Sequence, residues 1–359
     1  MEHRAGWDAT FSAPKSVSLT ALVGGDDNVR MAHRDSVRVA LEQLEHCTQA
    51  RIGGNHAPET TAKFEHDTAR PVDGYVAPQL HTHAVVFNVT ERDNGQARAV
   101  QPQSLFASQQ FATAVYQSEL TYQLRQLGYG ITVGRSGAPE IKGYTQEYLD
   151  ASSPRSQQIR GYLERTGRTG SEAAEIAAHS TRDRKEIHSP GEVMAAHRKL
   201  AADFGHQAEA VVRAARERLE HQEKPVNKID RVRESHTFSR DKNFEREAVV
   251  DERALIRDGL RRGMGDITYN QVRVNLDAYL ASGEFQTVER SQSLPARQFT
   301  TANTRCGAIC VHEGEHCLKP KFLLLSAPAS WLLRLAGARR VQSRPPRAPR
   351  QRSKQSGEP

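Results

Sequence analysis

The sequence predicts an α+β fold, a sheet layered against helices, followed by a helical region and a basic tail. Three observations point there. Short runs that are apolar or alternate every two residues are interleaved with only two long stretches of helical periodicity in the first 135 residues. An Asn-Gly turn joins two of those runs as a tight hairpin. From Thr145 the strand signal gives way to a long stretch rich in Arg, Glu and Ala. Strands mixed with a few long helices favour an α+β layer over a doubly wound sheet.

Taken in order, residues 6–23 read as a strand, a turn at Ala13-Pro14-Lys15-Ser16, and a second strand. A helix is expected from about Asp27 to Arg51, with Val37, Ala40, Leu41 and Leu44 on one face and Gly53-Gly54 closing it. Thr60 to His66 and Gln79 to Val89 read as strands, and a turn at Asp93-Asn94-Gly95 leads into Ala97–Val100. A second helix spans roughly Phe106 to Leu127 and is ended by Gly128, before a short strand at Ile131–Val133. Thr145 to about Lys224 reads as helical, Pro225 to Asn243 as a polar linker, and Val249 to Ala281 as helical again. No internal repeat is visible.

Composition excludes several classes. The 359 residues are 37% hydrophobic and 26% charged, with no run of about 18 apolar residues of the length that spans a membrane. Phe322 to Gly337 comes nearest and is interrupted by Arg334. The first residues carry no basic start followed by an apolar run, so no secretion signal is expected. Four cysteines, three of them clustered near the end, make no disulfide framework and suit a reducing cytoplasm. The formal charge of +7 is misleading as a sign of nucleic-acid binding. From Thr301 onward there are 11 Lys and Arg against 3 Asp and Glu, which leaves 39 against 40 in the rest.

The chemistry centres on Pro78-Gln79-Leu80-His81-Thr82-His83-Ala84-Val85-Val86. On a strand, His81 and His83 point the same way about 7 Å apart, close enough to share one metal ion. The apolar residues that follow fix the strand in a core. His66, in Phe64-Glu65-His66-Asp67-Thr68, is a candidate third ligand. Three neutral nitrogens leave positions open for a substrate oxygen, as a catalytic metal site requires. A His-x-His pair on a strand is most often a satisfied or surface pair, and spacing alone leaves a hydrolase, a dioxygenase or a cupin open.

Gly6-Trp7-Asp8-Ala9-Thr10-Phe11-Ser12-Ala13-Pro14-Lys15-Ser16-Val17-Ser18 resembles the second motif of TrwC/TraI-type (MobF) conjugative relaxases. His66-Asp67-Thr68-Ala69-Arg70 and the His81-Thr82-His83 strand resemble their third. The resemblance implies an HUH-type fold, with an antiparallel sheet, helices on one side and a helical lid; the partly disordered basic tail is read from the composition around Pro345-Pro346-Arg347-Ala348-Pro349-Arg350. It implies that His66, His81 and His83 bind a divalent cation of the Mg, Mn or Zn class. Asp8 would then orient a ligand histidine or help deprotonate the nucleophile. The partners it implies are single-stranded DNA at an origin of transfer and the conjugation machinery. In the family's reaction a tyrosine oxygen bonds to phosphorus and the 3′-hydroxyl leaves, without ATP.

Two departures follow. The family's nucleophilic tyrosines precede the Gly-Trp-Asp motif, whereas the first tyrosine here is Tyr75, so the nucleophile and the first sheet strand are expected to be absent. The segment Pro71 to Ala77 is also longer than usual, and Tyr75 within it reads as a solvent-facing loop tyrosine rather than a replacement. Lys15 and Arg70 are candidate DNA-phosphate contacts; arginines between Arg155 and Arg184 lie where single-stranded DNA would run, but the interleaved Glu172, Glu175 and Asp183 fit an ordinary solvated face equally well. Cys306, Cys310, His312, His316 and Cys317 have zinc-like spacing in a tail of foreign texture. No Gly-x4-Gly-Lys-Ser/Thr loop is present, so no ATP site is expected. The expected organisation is a relaxase domain over 1–225, a linker over 226–248, a segment leading into a helicase over 249–300, and a basic tail over 301–359. The rivals are a non-catalytic DNA-binding remnant and a three-histidine hydrolase that uses water.

Overall fold

The computed structural model describes residues 4–48, 59–91, 95–134, 137–182, 188–221, 228–288, 297–301 and 334–337. The expectations for Gly53-Gly54, for most of the Asp93-Asn94-Gly95 turn and for the Cys/His cluster fall outside these residues. β1 (Gly6–Ser12) is followed by helix α1 (Lys15–Leu22) and helix α2 (Asp27–His46). Strands β2 (Glu59–Thr68), β3 (Pro78–Glu91) and β4 (Ala97–Arg98) precede the long helix α3 (Pro102–Gln126). A small hairpin of β5 (Ile131–Val133) and β6 (Pro139–Ile141) leads into the helical region.

The main sheet is antiparallel, as expected, with β3 between β1 and β2 and with β4 on the far end of β3. The alternation along these strands sorts the faces. Trp7, Ala9 and Phe11 of β1 and Leu80, Ala84 and Val86 of β3 are buried in one core with Val37, Ala40 and Leu44 of α2 and Phe111, Val115 and Leu120 of α3. Asp8, Thr10 and Ser12 and the odd-numbered residues 81, 83 and 85 remain partly exposed on the opposite face. The pattern in sequence is therefore the pattern in space: one face feeds the helix layer and the other is left for chemistry.

The second strand expected in residues 6–23 is instead helix α1. The alternation Val17-Ser18-Leu19-Thr20 imitates a strand, but the hydroxyls bond back along a helix, Ser18 Oγ to Pro14 O at 3.1 Å and Thr20 Oγ1 to Ser16 O at 2.8 Å. With their polarity absorbed, Ser18 and Thr20 are buried like the apolar residues beside them. The linker expected over 226–248 is also corrected. Most of it forms helix α9 (Lys228–Phe244), whose buried side chains include Val232, Ser235, His236 and Ser239, small or polar residues that periodicity does not detect.

Helices α4 (Gln146–Ala151), α5 (Pro154–Thr166), α6 (Ser171–Ser180), α7 (Pro190–Asp203) and α8 (Gln207–Glu220) form the region expected to be a lid. Tyr148 of α4 stacks on Phe204 at 5.2 Å and shares a small core with Leu19 of α1 and Ala201 of α7, which fixes this region to the body. Ser189 and Glu192 close a capping box at the start of α7.

Beyond α9 come β7 (Val250–Asp251), α10 (Glu252–Arg262), α11 (Tyr269–Ala281), β8 (Phe285–Thr287) and β9 (Gln298–Thr301). Leu255, Ile256 and Leu260 of α10 enter the same core as α3. Ser118 Oγ donates to Ile267 O at 3.1 Å, and Tyr269 N–H donates to Glu119 Oε1 at 2.6 Å. α10 and the start of α11 thus pack against the sheet-bearing body. In the tail, β10 (Arg334–Gly337) pairs antiparallel with β1, with Trp7 opposite Gly337. No described helix is long and apolar enough to cross a membrane.

Lys15 ties the start of α1 to the start of β3. Its side chain is buried, and its Nζ donates to Pro78 O at 2.6 Å, at the first residue of β3. Burial lowers its pKa to about 7, against a smaller upward pull from Glu140. The folded state therefore resists the charged form. The cost of that charge is full below pH 7 and fades as pH rises toward the unfolded value of 10.5. Unfolding titrations at pH 7 and pH 9.5 are expected to show wild-type stability rising with pH more steeply than that of Lys15→Met. Equal slopes would contradict this burial.

Candidate metal centre

Three imidazoles meet on the open face of the sheet. The register places His66 of β2 opposite His81 of β3, and His83 opposite Thr10 of β1. Ring centroids are 5.0 Å apart for His81 and His83, 5.3 Å for His66 and His81, and 5.4 Å for His66 and His83. Strand alternation supplies the His81–His83 pair, and cross-strand pairing supplies His66.

Neighbouring groups set which nitrogen each ring offers. His83 Nδ1 donates to Asp8 Oδ2 at 2.7 Å, with Thr10 Oγ1 3.1 Å from the same nitrogen. His81 Nδ1 donates to Gln79 O at 2.9 Å. Both rings are thereby held through Nδ1 with Nε2 left to face the site, the arrangement by which carboxylate and carbonyl groups orient metal-bound histidines. Asp8 raises the pKa of His83, whereas burial lowers that of His81. His66 is exposed.

The donor set fits a borderline divalent cation, since three imidazoles leave at least one position open. Among the described residues no trio of His, Cys, Asp or Glu side chains is already arranged around a single cation position. His66 lies nearly parallel to His81, with 21° between ring planes, and its exposed ring stands at the edge of the cluster.

Beside His66 opens a cleft of about 730 Å³ between the end of β2, the turn that follows it and α7. Arg30 and Arg70 line it together with the apolar side chains of Leu22, Val193 and Met194. Arg30 is held by Glu65 at 2.9 Å and by both oxygens of Asp67, at 2.6 and 3.0 Å. His197 of α7 bonds through Nε2 to Val76 O at 2.8 Å and ties this helix to the turn.

The sequence-predicted residues divide accordingly. Asp8, His66, His81 and His83 come together, and Arg70 lines the adjoining cleft. Lys15 departs from its expected place as a surface phosphate contact: its ammonium is turned inward and seats the N-terminal end of β3. Two histidines of this neighbourhood, His33 and His197, were not singled out from the sequence. His33 carried a readable signal, since it shares the 3.6-residue stripe of Val29, Val37, Ala40 and Leu44 on α2. Tyr75 is not placed as a nucleophile: its hydroxyl is buried without a hydrogen-bond partner, its ring lies 6.1 Å from His197, and burial raises its pKa.

The raised pKa of His83 gives a stability contribution present at low pH and lost as pH climbs through the folded value. Both partners are about one-third exposed, so it amounts to no more than about 1 kcal/mol. Metal-free Asp8→Asn is expected to be destabilised more at pH 5 than at pH 8, with the His83 titration moved down in NMR. An unmoved His83 titration would break the assigned pairing.

Comparison with known proteins identifies the family. The TrwC relaxase family profile matches residues 1–204. The multifunctional conjugation protein TraI of Escherichia coli is 36% identical over 237 residues, covering 61% of this chain and 13% of TraI. Its counterpart in strain K12 is 35% identical over 236 residues, with the same coverage. The chain therefore spans only about an eighth of the curated relatives' length. Among solved structures, the conjugative relaxase TrwC in complex with mutant OriT DNA superposes with a TM-score of 0.53 at 33% identity, over 57% of this chain and 76% of that one. A metal-bound TrwC–OriT complex gives the same TM-score and identity over 57% and 73%. With more than half of its length matched to the profile and the histidine face in place, the chain belongs to the TrwC relaxase family.

Proposed function

We propose that His66, His81 and His83 present a divalent cation to a phosphate of single-stranded DNA at an origin of transfer, for site- and strand-specific nicking and rejoining. The observation that carries this reading is the set of three imidazoles on one open sheet face, two of them oriented through Nδ1, beside a cleft with arginines in its wall. A bound cation would polarise the scissile phosphate and stabilise charge on its oxygens. Asp8 keeps His83 in the tautomer that offers Nε2. Arg70, in the cleft wall, is proposed to contact the DNA backbone, whereas Lys15 acts through β3. The conjugation machinery is the setting proposed for this activity, in the cytoplasm, which suits the free and buried Cys47.

The nucleophile is a separate matter. A buried phenol with a raised pKa is a poor attacking group, so Tyr75 is not assigned that role. We propose that this chain binds cation and DNA but does not cleave unless a tyrosine is supplied above the histidine face.

The test is a labelled single-stranded oligonucleotide carrying the origin of transfer of the DNA that encodes this protein, run with and without Mg²⁺ or Mn²⁺ on native and denaturing gels. Cation-dependent retention that is lost in His81→Ala/His83→Ala, without cleavage, is the expected result. A protease-sensitive covalent adduct abolished by Tyr75→Phe would reverse the assignment of Tyr75. Cleavage without any adduct would favour the water-using hydrolase. Retention indifferent to cation and to the histidines would leave only a DNA-binding remnant.

A further inference from the structure

Behind the histidine face, on the helix side of the sheet, lies a buried polar chain that the proposed chemistry does not use. Thr82 sits between His81 and His83 but points the other way, into the core. Its Oγ1 lies 3.0 Å from His33 Nε2, and His33 Nδ1 lies 2.9 Å from the Tyr116 hydroxyl. His33 of α2 is fully buried, Tyr116 of α3 is nearly so, and their rings meet edge-on at 5.7 Å. Tyr116 also packs edge-on against Phe11 of β1 at 5.6 Å, and Phe11 is paired with Thr82 in the sheet. Three elements of the helix layer and sheet thus converge on the one residue that separates the two ligand histidines.

We propose that His33 is a positioning residue for the histidine centre, acting through Thr82. This rests on the reading of His66, His81 and His83 as cation ligands.

The physical reasoning begins with the alternatives. An apolar trio would pack the same space without the cost of burying a hydroxyl, an imidazole and a phenol. Each polar atom here has a partner, so the network is satisfied, but satisfaction alone adds little net stability. What a directional bond adds is specificity. A one-residue slip of β3 would carry Thr82 to the open face and the ligand histidines into the helix layer. Apolar contacts at Leu80, Ala84 and Val86 resist a slip but tolerate small rotations of the strand. The bond from His33 to Thr82 resists rotation as well, because it acts midway between His81 and His83. His33 is suited to this as a neutral ring, and burial lowers its pKa to about 4.

The test uses the full chain and Co²⁺, whose visible absorption reports ligand geometry without any need for DNA cleavage. Thr82→Val keeps the branched shape and removes the hydroxyl, and His33→Leu removes the imidazole. His33→Gln keeps an amide nitrogen within reach of Thr82. Leu124→Ala, in the core of α3 away from the ligands, serves as a control for destabilisation alone. Thr82→Val and His33→Leu are expected to weaken Co²⁺ binding about tenfold and to alter its spectrum, as lost outer-shell partners do. His33→Gln is expected to stay within about threefold of wild type, and Leu124→Ala to lower Tm with binding unchanged. If His33→Leu does not fold, Thr82→Val and His33→Gln decide the matter. Wild-type affinity and spectrum in Thr82→Val, or equal weakening by Leu124→Ala, would overturn the proposal. A wild-type chain that takes up no Co²⁺ would instead bring down the ligand reading beneath it.

Discussion

The two-residue period of β3 is the constraint on which the rest of this structure hangs. Leu80, Ala84 and Val86 are wholly buried on one face, and His81 and His83 stand on the other. Each large apolar side chain on the buried face stabilises its placement by about 1.5–3 kcal/mol. The Asp8–His83 pair, about one-third exposed, contributes no more than about 1 kcal/mol. Packing therefore sets the register, and the polar groups on the open face refine what packing has already positioned. Asp8 selects a tautomer, Gln79 O does the same for His81, and neither could rescue a strand that had slipped.

From that strand the neighbouring elements take their functional meaning. β1 brings Asp8 within 2.7 Å of His83, and β2 brings His66 opposite His81. Arg30 and Arg34 of α2 reach over to Glu65 on β2, which pairs in register with Thr82. α7, held by His197 to Val76 O, forms the wall of the cleft beside His66. A divalent cation and a phosphate backbone are the two ligands whose chemistry matches this combination of imidazole nitrogens and arginines. Solved TrwC structures of similar fold include complexes with OriT DNA and a metal-bound form.

Much of this was legible in the sequence, and the failures have physical causes. α2, α3 and β3 were readable because their apolar residues recur at helical or strand spacing over enough positions to be distinctive. The set Asp8, His66, His81 and His83 was readable because its motifs occur in order. α1 was misread because Ser18 and Thr20 bond to carbonyls one turn back and so behave as core residues. α9 was missed because its buried face is built from Ser235, His236 and Ser239, which carry no apolar stripe. The inward turn of Lys15 depends on Pro78, 63 residues away, and the pairing of β10 with β1 joins the two ends of the chain. Such contacts are set by tertiary structure and leave no local signature.

His33 illustrates the intermediate case. Its position on the apolar stripe of α2 marks it as buried, but only the structure reveals that its two nitrogens meet Thr82 and Tyr116. A polar residue on an apolar face thus flags a buried network without naming its partners.

The central claim is that three histidines of one sheet face act together on one cation. X-ray absorption at the metal edge of the purified chain loaded with one equivalent of Zn²⁺ tests it most directly. The account predicts three imidazole nitrogens at about 2.0–2.1 Å, with oxygen completing the shell. Two or fewer imidazoles in the shell, or any sulfur ligand, would contradict it.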